Sequence, residues 1–457
     1  MIRLTFTIFP IPIVSLNYRA PSALVSGKAG HTLALSARSE GRDQPFFQGR
    51  VLQPKLLASA LICLSRVVGE SWFDAAAVAD SRRRMADPIV TSGHGVLRFE
   101  GFSACRSLAI RVDLLRGGLE ILHQFHGTTN VDFNQPMRTA LARVSDRDAL
   151  SLAIDENAFV LVHGTESLLE RKVELPLSWL KGLASIPVIS SRCETVAELA
   201  GPAIAALFRD LPRTGNGRES HWLHPSARGI RVARTPAEGA VQLTGAKRLL
   251  VLQPLIQAAK KLTIATTPAR DTTLWTLHFD NLRLTLALSP EVWRGFSGEG
   301  ASLEDLSREL TPEVVDTLLY DGPSAFDAET QAIALGVSLP EIRTALAHLA
   351  SQGQIGYDHI DAVWYRRNIP GSEALIRQTN PRLAQAEAWV TSNAVAIESR
   401  LNEIVRGRVG TDPATAHQVE IAPQGSRCTC FWFGRFGLSR GPCSHILALR
   451  LAAQLPP

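Results

Sequence analysis

The chain has 457 residues, more than a single hydrophobic core usually supports, so we expect about two to four domains. Apolar residues make up 45% and charged residues 20%, which is typical of a soluble globular chain. The net charge of +5 permits contact with nucleic acid or an acidic partner but does not require it.

The N-terminal segment 1–16 has a basic residue followed by an apolar stretch, as a signal peptide does. Pro10 and Pro12 interrupt that stretch, and it is too short to span a membrane. We therefore expect a first strand here, or a start codon assigned too far upstream. No other segment approaches membrane-spanning length, so the sequence predicts a cytoplasmic protein without membrane contact.

Residues 16–295 are predicted to form a large, mostly antiparallel α+β region of unknown function. Leucine and alanine at helical spacing predict a helix over 54–68. Alternating apolar residues predict strands over 95–100, 108–112, 149–154, 159–162, 230–234, 273–279 and 282–288. A turn at 155–157 would join two of these strands, and residues 174–179 end a strand and open a helix.

Residues 305–370 are predicted to form a winged helix-turn-helix. A helix over 328–336 ends at a glycine, and Ser338 with Glu341 forms a capping box that begins a second helix. Alternation over 354–358 and 361–367 then predicts a β-hairpin, the wing.

The charges of this module leave two roles open. Arg343 on the second helix, together with Arg366 and Arg367, suits DNA contact. Asp358 and Asp361 at the expected wing tip would repel phosphates, which favours protein interaction or structural docking instead.

A helical linker is expected over 371–410, followed by a C-terminal module over 411–457 that carries a metal-binding pattern. Cys428-x-Cys430 and Cys443-x-His445 are separated by twelve residues. Thiolates and imidazole are the ligands that zinc selects, and four protein ligands make a closed, structural site. Cysteines two apart on a strand share a face, a glycine-rich hairpin over 434–441 would turn the chain, and a helix would begin at Cys443. The sequence thus predicts one structural Zn²⁺ in a ββα unit.

The pattern resembles the SWIM zinc finger, whose signature is CxC followed by CxH and an apolar helix. Segments 127–133, 174–179 and 245–250 also look like landmarks of a bacterial SWIM zinc finger family. In that family a long α+β region precedes the finger, and the genes often lie beside those of MoxR-type AAA+ ATPases and von Willebrand factor A proteins. The resemblance implies such an ATPase and such a protein as partners.

The remaining cysteines, Cys63, Cys105 and Cys193, lack metal-ligand partners nearby in sequence, and we expect structural or incidental roles for them. One zinc site in a reducing compartment accounts for the cysteine content better than a disulfide framework does.

The finger also combines basic and aromatic side chains. No acidic residue follows Glu420. The residues of this stretch that are candidates for contact with nucleic acid or another partner are Arg427, Arg435, Arg440 and Trp432. Such a surface can bind single-stranded nucleic acid, although the aromatic residues can equally form the small core of the module.

No catalytic motif is found: the sequence contains no HExxH, no Walker A motif and no GxSxG. We therefore predict a non-catalytic, zinc-binding interaction protein, an adaptor or recognition subunit of a MoxR-type ATPase system. The alternative is a DNA-binding protein that uses the winged helix and the finger together. A weaker alternative is an enzyme within residues 16–295.

Overall fold

The protein is described by a computed structural model that covers residues 15–18, 22–27, 30–36, 45–69, 87–93, 95–155, 171–174, 177–215, 218–226, 229–292, 295–297, 300, 302–367, 373–412 and 414–453. Within these ranges the fold is mixed α+β with several antiparallel sheets, which confirms the predicted class. The strand expected near the N-terminus before residue 15, the strand over 159–162 and most of the turn before it lie outside the described residues.

The region before residue 300 holds most of the strands. They are β1 (Ser15–Tyr18), β2 (Ala23–Gly27), β3 (Gly30–Ser36), β4 (Phe47–Val51), β5 (Ile89–Gly93), β6 (Val96–Phe102), β7 (Leu108–Leu114), β8 (Leu119–Gln124), β9 (Gly127–Asn130), β10 (Leu150–Asp155), β11 (Arg171–Glu174), β12 (Glu194–Ala200), β13 (Ser220–Ser226), β14 (Gly229–Ala233), β15 (Val241–Thr244), β16 (Lys261–Thr266), β17 (Thr273–His278) and β18 (Leu282–Leu288). The helices are α1 (Pro54–Gly69), α2 (Gln135–Leu141), α3 (Leu177–Ser191) and α4 (Pro202–Asp210), and a 3-10 segment spans Ala246–Leu255. The predicted helix over 54–68 and the predicted strands that fall on described residues are confirmed to within about two residues.

Two large sheets organise this region. One has eight antiparallel strands in the order β12-β16-β17-β18-β7-β6-β5-β9. The other has five strands in the order β2-β3-β10-β4-β8, with β3 and β10 parallel. Helix α1 packs on β6 and β7, and the apolar side chains of both sheets share one core.

Strand β18 shows how the eight-stranded sheet presents two different faces. Leu282, Leu284 and Leu286 alternate along it and are almost fully buried in the core. Arg283 lies between them and therefore points to the opposite face, because successive side chains on a strand alternate. That second face is covered by a later part of the chain.

The covering element lies in residues 302–367. This stretch contains α5 (Leu303–Leu306), α6 (Pro312–Asp316), a π-helical turn over Thr317–Asp321, β19 (Ala325–Phe326), α7 (Ala328–Leu335), α8 (Leu339–Ser351), β20 (Ile355–Asp358) and β21 (Val363–Arg366), with the three strands in the order β19-β21-β20. The predicted capping box is present, since Ser338 Oγ accepts from Glu341 N and Glu341 Oε2 accepts from Ser338 N. Gly336 ends α7 in the left-handed conformation, with φ of 67°.

A buried ion network joins β20 to the large sheet. Arg98, Asp113 and Arg283 are direct cross-strand neighbours and share one face. Asp358 accepts from Arg283 Nη2 at 2.9 Å and lies 3.3 Å from Arg111 Nη2. Burial alone would raise the pKa of Asp358, but the neighbouring guanidinium groups hold it well below its usual range.

This network corrects the expectation that Asp358 stands at an exposed wing tip. Its side chain is fully buried, and Asp361 beside it is 52% exposed while it binds Arg283. The hairpin is turned toward the large sheet because three arginine side chains there need counter-charges in a buried setting.

Residues 373–453 form the last layer. Their elements are α9 (Glu373–Thr379), α10 (Pro381–Thr391), β22 (Val395–Leu401), β23 (Ile404–Val409), β24 (His417–Ile421), β25 (Arg427–Cys428), α11 (Phe431–Phe436) and α12 (Ser444–Ala453). The four strands make an antiparallel sheet in the order β22-β23-β24-β25.

The expected helical linker over 371–410 is therefore helical only in its first half. Its second half is the β22–β23 hairpin, which belongs to the same sheet as the cysteine-bearing strand. Asn402 and Glu403 both have positive φ, as a two-residue hairpin turn requires. No helix among the described residues is both long enough and apolar enough to cross a membrane.

We predict that Asp358→Asn lowers the free energy of unfolding by about 3–5 kcal/mol, because it removes a carboxylate that three buried guanidinium groups share. Urea unfolding at neutral pH measures this loss. The pKa of Asp358 is lower in the folded state than in the unfolded state. Its carboxylate therefore contributes fully to the free energy of unfolding above the unfolded pKa of about 3.9, and this contribution decreases as the pH falls below that value. The variant should therefore lose less stability than the wild type on acidification.

The matched control is Asp361→Asn, which removes a half-exposed carboxylate from the same arginine. Its cost should stay near or below about 1 kcal/mol, as for a solvent-exposed pair. Equal losses for the two variants would contradict a central role for Asp358.

Candidate metal centre

The four predicted ligands sit at the ends of three elements. Cys428 ends β25, and Cys430 is the N-cap of α11, where its Sγ accepts from Phe433 N at 3.3 Å. Cys443 immediately precedes α12, and His445 lies in the first turn of that helix. The sheet and two helix starts thus fix the backbone positions of all four side chains.

The ligand atoms of these residues converge. All four lie within 4.8 Å of one another, although the two pairs are separated by twelve residues in sequence. Cys428, Cys430 and Cys443 are buried, and His445 is half-buried. For comparison, sulfur ligands of a tetrahedral zinc ion are about 3.8 Å apart, given a Zn–S distance of about 2.3 Å. The cluster can hold a metal ion.

The electrostatics of the cluster also fit a cation. A hydrogen bond from Cys428 lowers the pKa of Cys443 to about 4 and raises the pKa of Cys428. Burial raises the pKa of Cys430, so without a cation only one thiolate is favoured among three sulfurs. In addition, Nδ1 of His445 is buried and has no hydrogen-bond partner among the described residues. A divalent, thiophilic ion would neutralise the thiolates and satisfy the imidazole.

Two neighbours of this site were not identified from the sequence. The ring of Trp389, on α10, stacks on His445 with centroids 4.4 Å apart and an interplanar angle of 17°. His417, on β24, meets the ring of His445 edge-on at 4.4 Å. Both residues lie well before the ligands in sequence, and no local spacing links them to His445, so only the fold brings them together.

The segment between the ligand pairs differs from the prediction. Residues 431–436 form the short helix α11, followed by turns, instead of a hairpin over 434–441. The hairpin was wrong because Cys430 caps a helix start, and Gly437, with φ of 54°, ends that helix. Trp432 and Phe433 pack against the hydrophobic core of the C-terminal layer, while Phe431 is 80% exposed.

The residues of the C-terminal module that were predicted to contact a partner fall into two groups. Arg427 and Arg435 are exposed. Arg440 forms an ion pair with Glu291, and Trp432 is half-buried beneath the guanidinium group of Arg382, 4.5 Å from its ring centroid. Arg440 and Trp432 thus take part in internal contacts.

The arginines of the preceding module are divided in the same way. Arg343 is exposed in the first half of α8. Arg366 donates to the carbonyls of Leu318 and Gly322. Arg367 is only 1% exposed and donates to both carboxylate oxygens of Glu100, at 2.8 and 3.2 Å. Arg367 is therefore an interior residue, which corrects its assignment as a surface contact.

Helix α8, the expected recognition helix, is largely enclosed. Eight of its thirteen residues are buried, and it packs against α3, α5, α6 and α7. Burial lowers the pKa of His348 on this helix to about 4. Only part of its first half, including Arg343, is available to a partner.

A scan against protein-family models finds no match, and a search of curated proteins returns no significant similarity.

We predict that Cys443→Ser abolishes stoichiometric zinc binding, because it replaces the thiol that hydrogen-bonds to Cys428 and contacts the imidazole. Metal analysis of the purified protein measures the loss. Cys105→Ser is the control, since Cys105 lies outside the cluster. Zinc retained by Cys443→Ser, or absent from the wild type, would contradict the site.

We also predict that chelation loosens the finger selectively. The three cysteines belong to the core beneath α12, and a structural zinc ion supplies an apparent free energy of about 10–16 kcal/mol to such a unit. Hydrogen exchange should speed up in β23, β24 and α12 and stay unchanged in β16–β18. Unchanged exchange in the finger would show that its fold does not depend on metal.

Proposed function

We propose that the protein is a zinc-binding, non-catalytic interaction protein, an adaptor or recognition subunit that presents its finger to a macromolecular partner. The observation that carries the proposal is the convergence of Cys428, Cys430, Cys443 and His445 within 4.8 Å. Four protein ligands complete a tetrahedral coordination shell and leave no open position for a reactive water. The zinc would therefore serve structure rather than catalysis.

We propose that residues 411–453 are a SWIM-type finger in which α11 replaces the expected hairpin. The support is the order of the ligands, the strand that ends at Cys428 and the apolar helix that follows His445. The winged-helix assignment of residues 305–367 has similar support from the α7–α8 pair and the β20–β21 hairpin. The role of this module would be to dock against the rest of the protein, because α8 and Asp358 are enclosed.

The contact surface of the finger would be formed by α11 and the strand before it. Phe431 is 80% exposed, and Arg435 lies one helical turn further on the same side. Arg427 and Leu438 are exposed nearby in sequence. An exposed aromatic ring flanked by guanidinium groups is typical of partner-binding hot spots.

By the resemblance to the bacterial SWIM family, the partner would be a complex of a MoxR-type AAA+ ATPase and a von Willebrand factor A protein. A second exposed apolar position on α7 is compatible with such an assembly, since Ile333 is 83% exposed. An adaptor of this kind needs contact surfaces of its own and no catalytic group.

We predict that the triple variant Arg427→Glu, Phe431→Ala, Arg435→Glu loses the partner while it keeps zinc, because none of the three side chains is a ligand. Affinity purification from native cells, with and without nuclease, followed by mass spectrometry measures this. Arg209→Glu with Arg231→Glu is the control, since both arginines are exposed on other elements and the change in charge is the same. A partner retained by the triple variant would reject this surface.

The second candidate is a DNA-binding protein. The absence of acidic residues after Glu420, together with the exposed Arg427 and Arg435, favours it. The enclosure of α8 disfavours reading of the major groove, because a recognition helix must present its side chains to base edges.

Salt dependence separates these two candidates. Phosphate contacts should make the affinity for nucleic acid fall steeply between about 50 and 200 mM salt. Arg343→Glu should weaken binding further if α8 contacts DNA. Binding that is absent at low salt, with a protein partner that survives nuclease, would reject the DNA-binding candidate.

A further inference from the structure

Helix α10 touches the proposed metal site at two points. Arg382 and Trp389 are seven residues apart, which is about two helical turns, so both side chains lie on the same side of the helix. This side faces the chain that carries Cys443 and His445. Leu383 and Ala386 lie between the two contacts in sequence and are buried in the finger core.

The first contact holds the backbone before Cys443. Arg382 Nη1 donates to the carbonyl of Pro442 at 2.8 Å and lies 3.4 Å from the carbonyl of Gly441. The same guanidinium group covers the ring of Trp432. One side chain thus links the first turn of α11, which follows Cys430, to the backbone immediately before Cys443.

The second contact holds the imidazole ring. Trp389 stacks on one face of His445, and His417 meets the ring from another direction. Ligating histidines are usually oriented by a hydrogen bond from the ring nitrogen that does not bind metal. Here two ring contacts restrict the rotation of the His445 side chain.

The end of α10 fixes the position of Trp389. Asn393 adopts the left-handed conformation with φ of 54°, and Ala394 N donates to the carbonyl of Trp389 at 2.9 Å. This is a hydrogen-bonded helix C-terminus that needs no metal to form. The chain then enters β22, whose hairpin partner β23 pairs with β24.

We propose that α10 is a metal-site brace, in which Arg382 and Trp389 are positioning residues for Cys443 and His445. The inference rests on the proposed zinc site and adds that residues outside the CxC and CxH signature set how firmly the ion is held. The functional unit of the finger accordingly begins at α10 instead of at residue 411.

The test is the rate at which the full-length, zinc-loaded protein releases zinc to a chromogenic chelator. Trp389→Ala should release zinc about tenfold faster or more, because loss of an outer-sphere partner of a metal ligand costs about 10–100-fold in affinity. Trp389→Phe keeps an aromatic face and should release zinc near the wild-type rate. Arg382→Ala should also accelerate release.

Gln385→Ala is the matched control, since Gln385 is exposed on the same helix. Cobalt-substituted protein supplies a second readout, because its visible bands report ligand geometry. In Trp389→Ala these bands should shift, whereas simple destabilisation would leave the spectrum of the bound ion unchanged. The brace would be overturned if both Trp389→Ala and Arg382→Ala released zinc at the wild-type rate and showed wild-type spectra. It would also be overturned if Gln385→Ala released zinc as fast as these two variants.

The outcomes separate this inference from the proposed function. Wild-type protein that binds no zinc would overturn both. Wild-type protein that binds zinc, with release unaffected by either brace variant, would overturn the brace alone.

Discussion

Three sulfur atoms and an imidazole crowded within 4.8 Å are the constraint on which the C-terminal layer depends. Neutral thiols tolerate such proximity, but three thiolates repel one another unless a cation lies among them. The same cysteines are part of the hydrophobic core under α12. A bound cation would therefore neutralise charge inside the packed core, against which Trp432 and Phe433 of α11 also pack.

A second polar cluster performs a different task further back in the chain. Arg98, Arg111 and Arg283 project from three adjacent strands, and Asp358 arrives from a hairpin about seventy-five residues beyond the last of them. This contact turns the hairpin toward the sheet and helps to enclose α8. The module that resembles a DNA reader in sequence thereby makes an internal contact with the large sheet.

Local patterns in the sequence predict local structure well. The alternating leucines predict β18, and Ser338 with Glu341 predicts the start of α8. Both predictions succeed because they depend on interactions within a few residues of sequence. The four metal-binding candidates were also found from spacing alone. The contacts of Trp389 with His445, of Arg367 with Glu100 and of Asp358 with three arginines could not be found, since each joins residues that are distant in sequence. The error over 434–441 arose because Gly437 ends a helix instead of closing a hairpin.

The position of Asp358 has a consequence for the accuracy of folding. A slip of one residue in the β20–β21 hairpin would turn its carboxylate to the other side of the strand. Three guanidinium groups would then be buried with too little negative charge, an error that costs several kcal/mol and affects three strands together. A misdocked arrangement therefore costs far more free energy than it would if the sheet and the hairpin met through apolar surfaces of equal area, because apolar surfaces can slide past each other. The network thus acts as a register check between the sheet and the hairpin during folding.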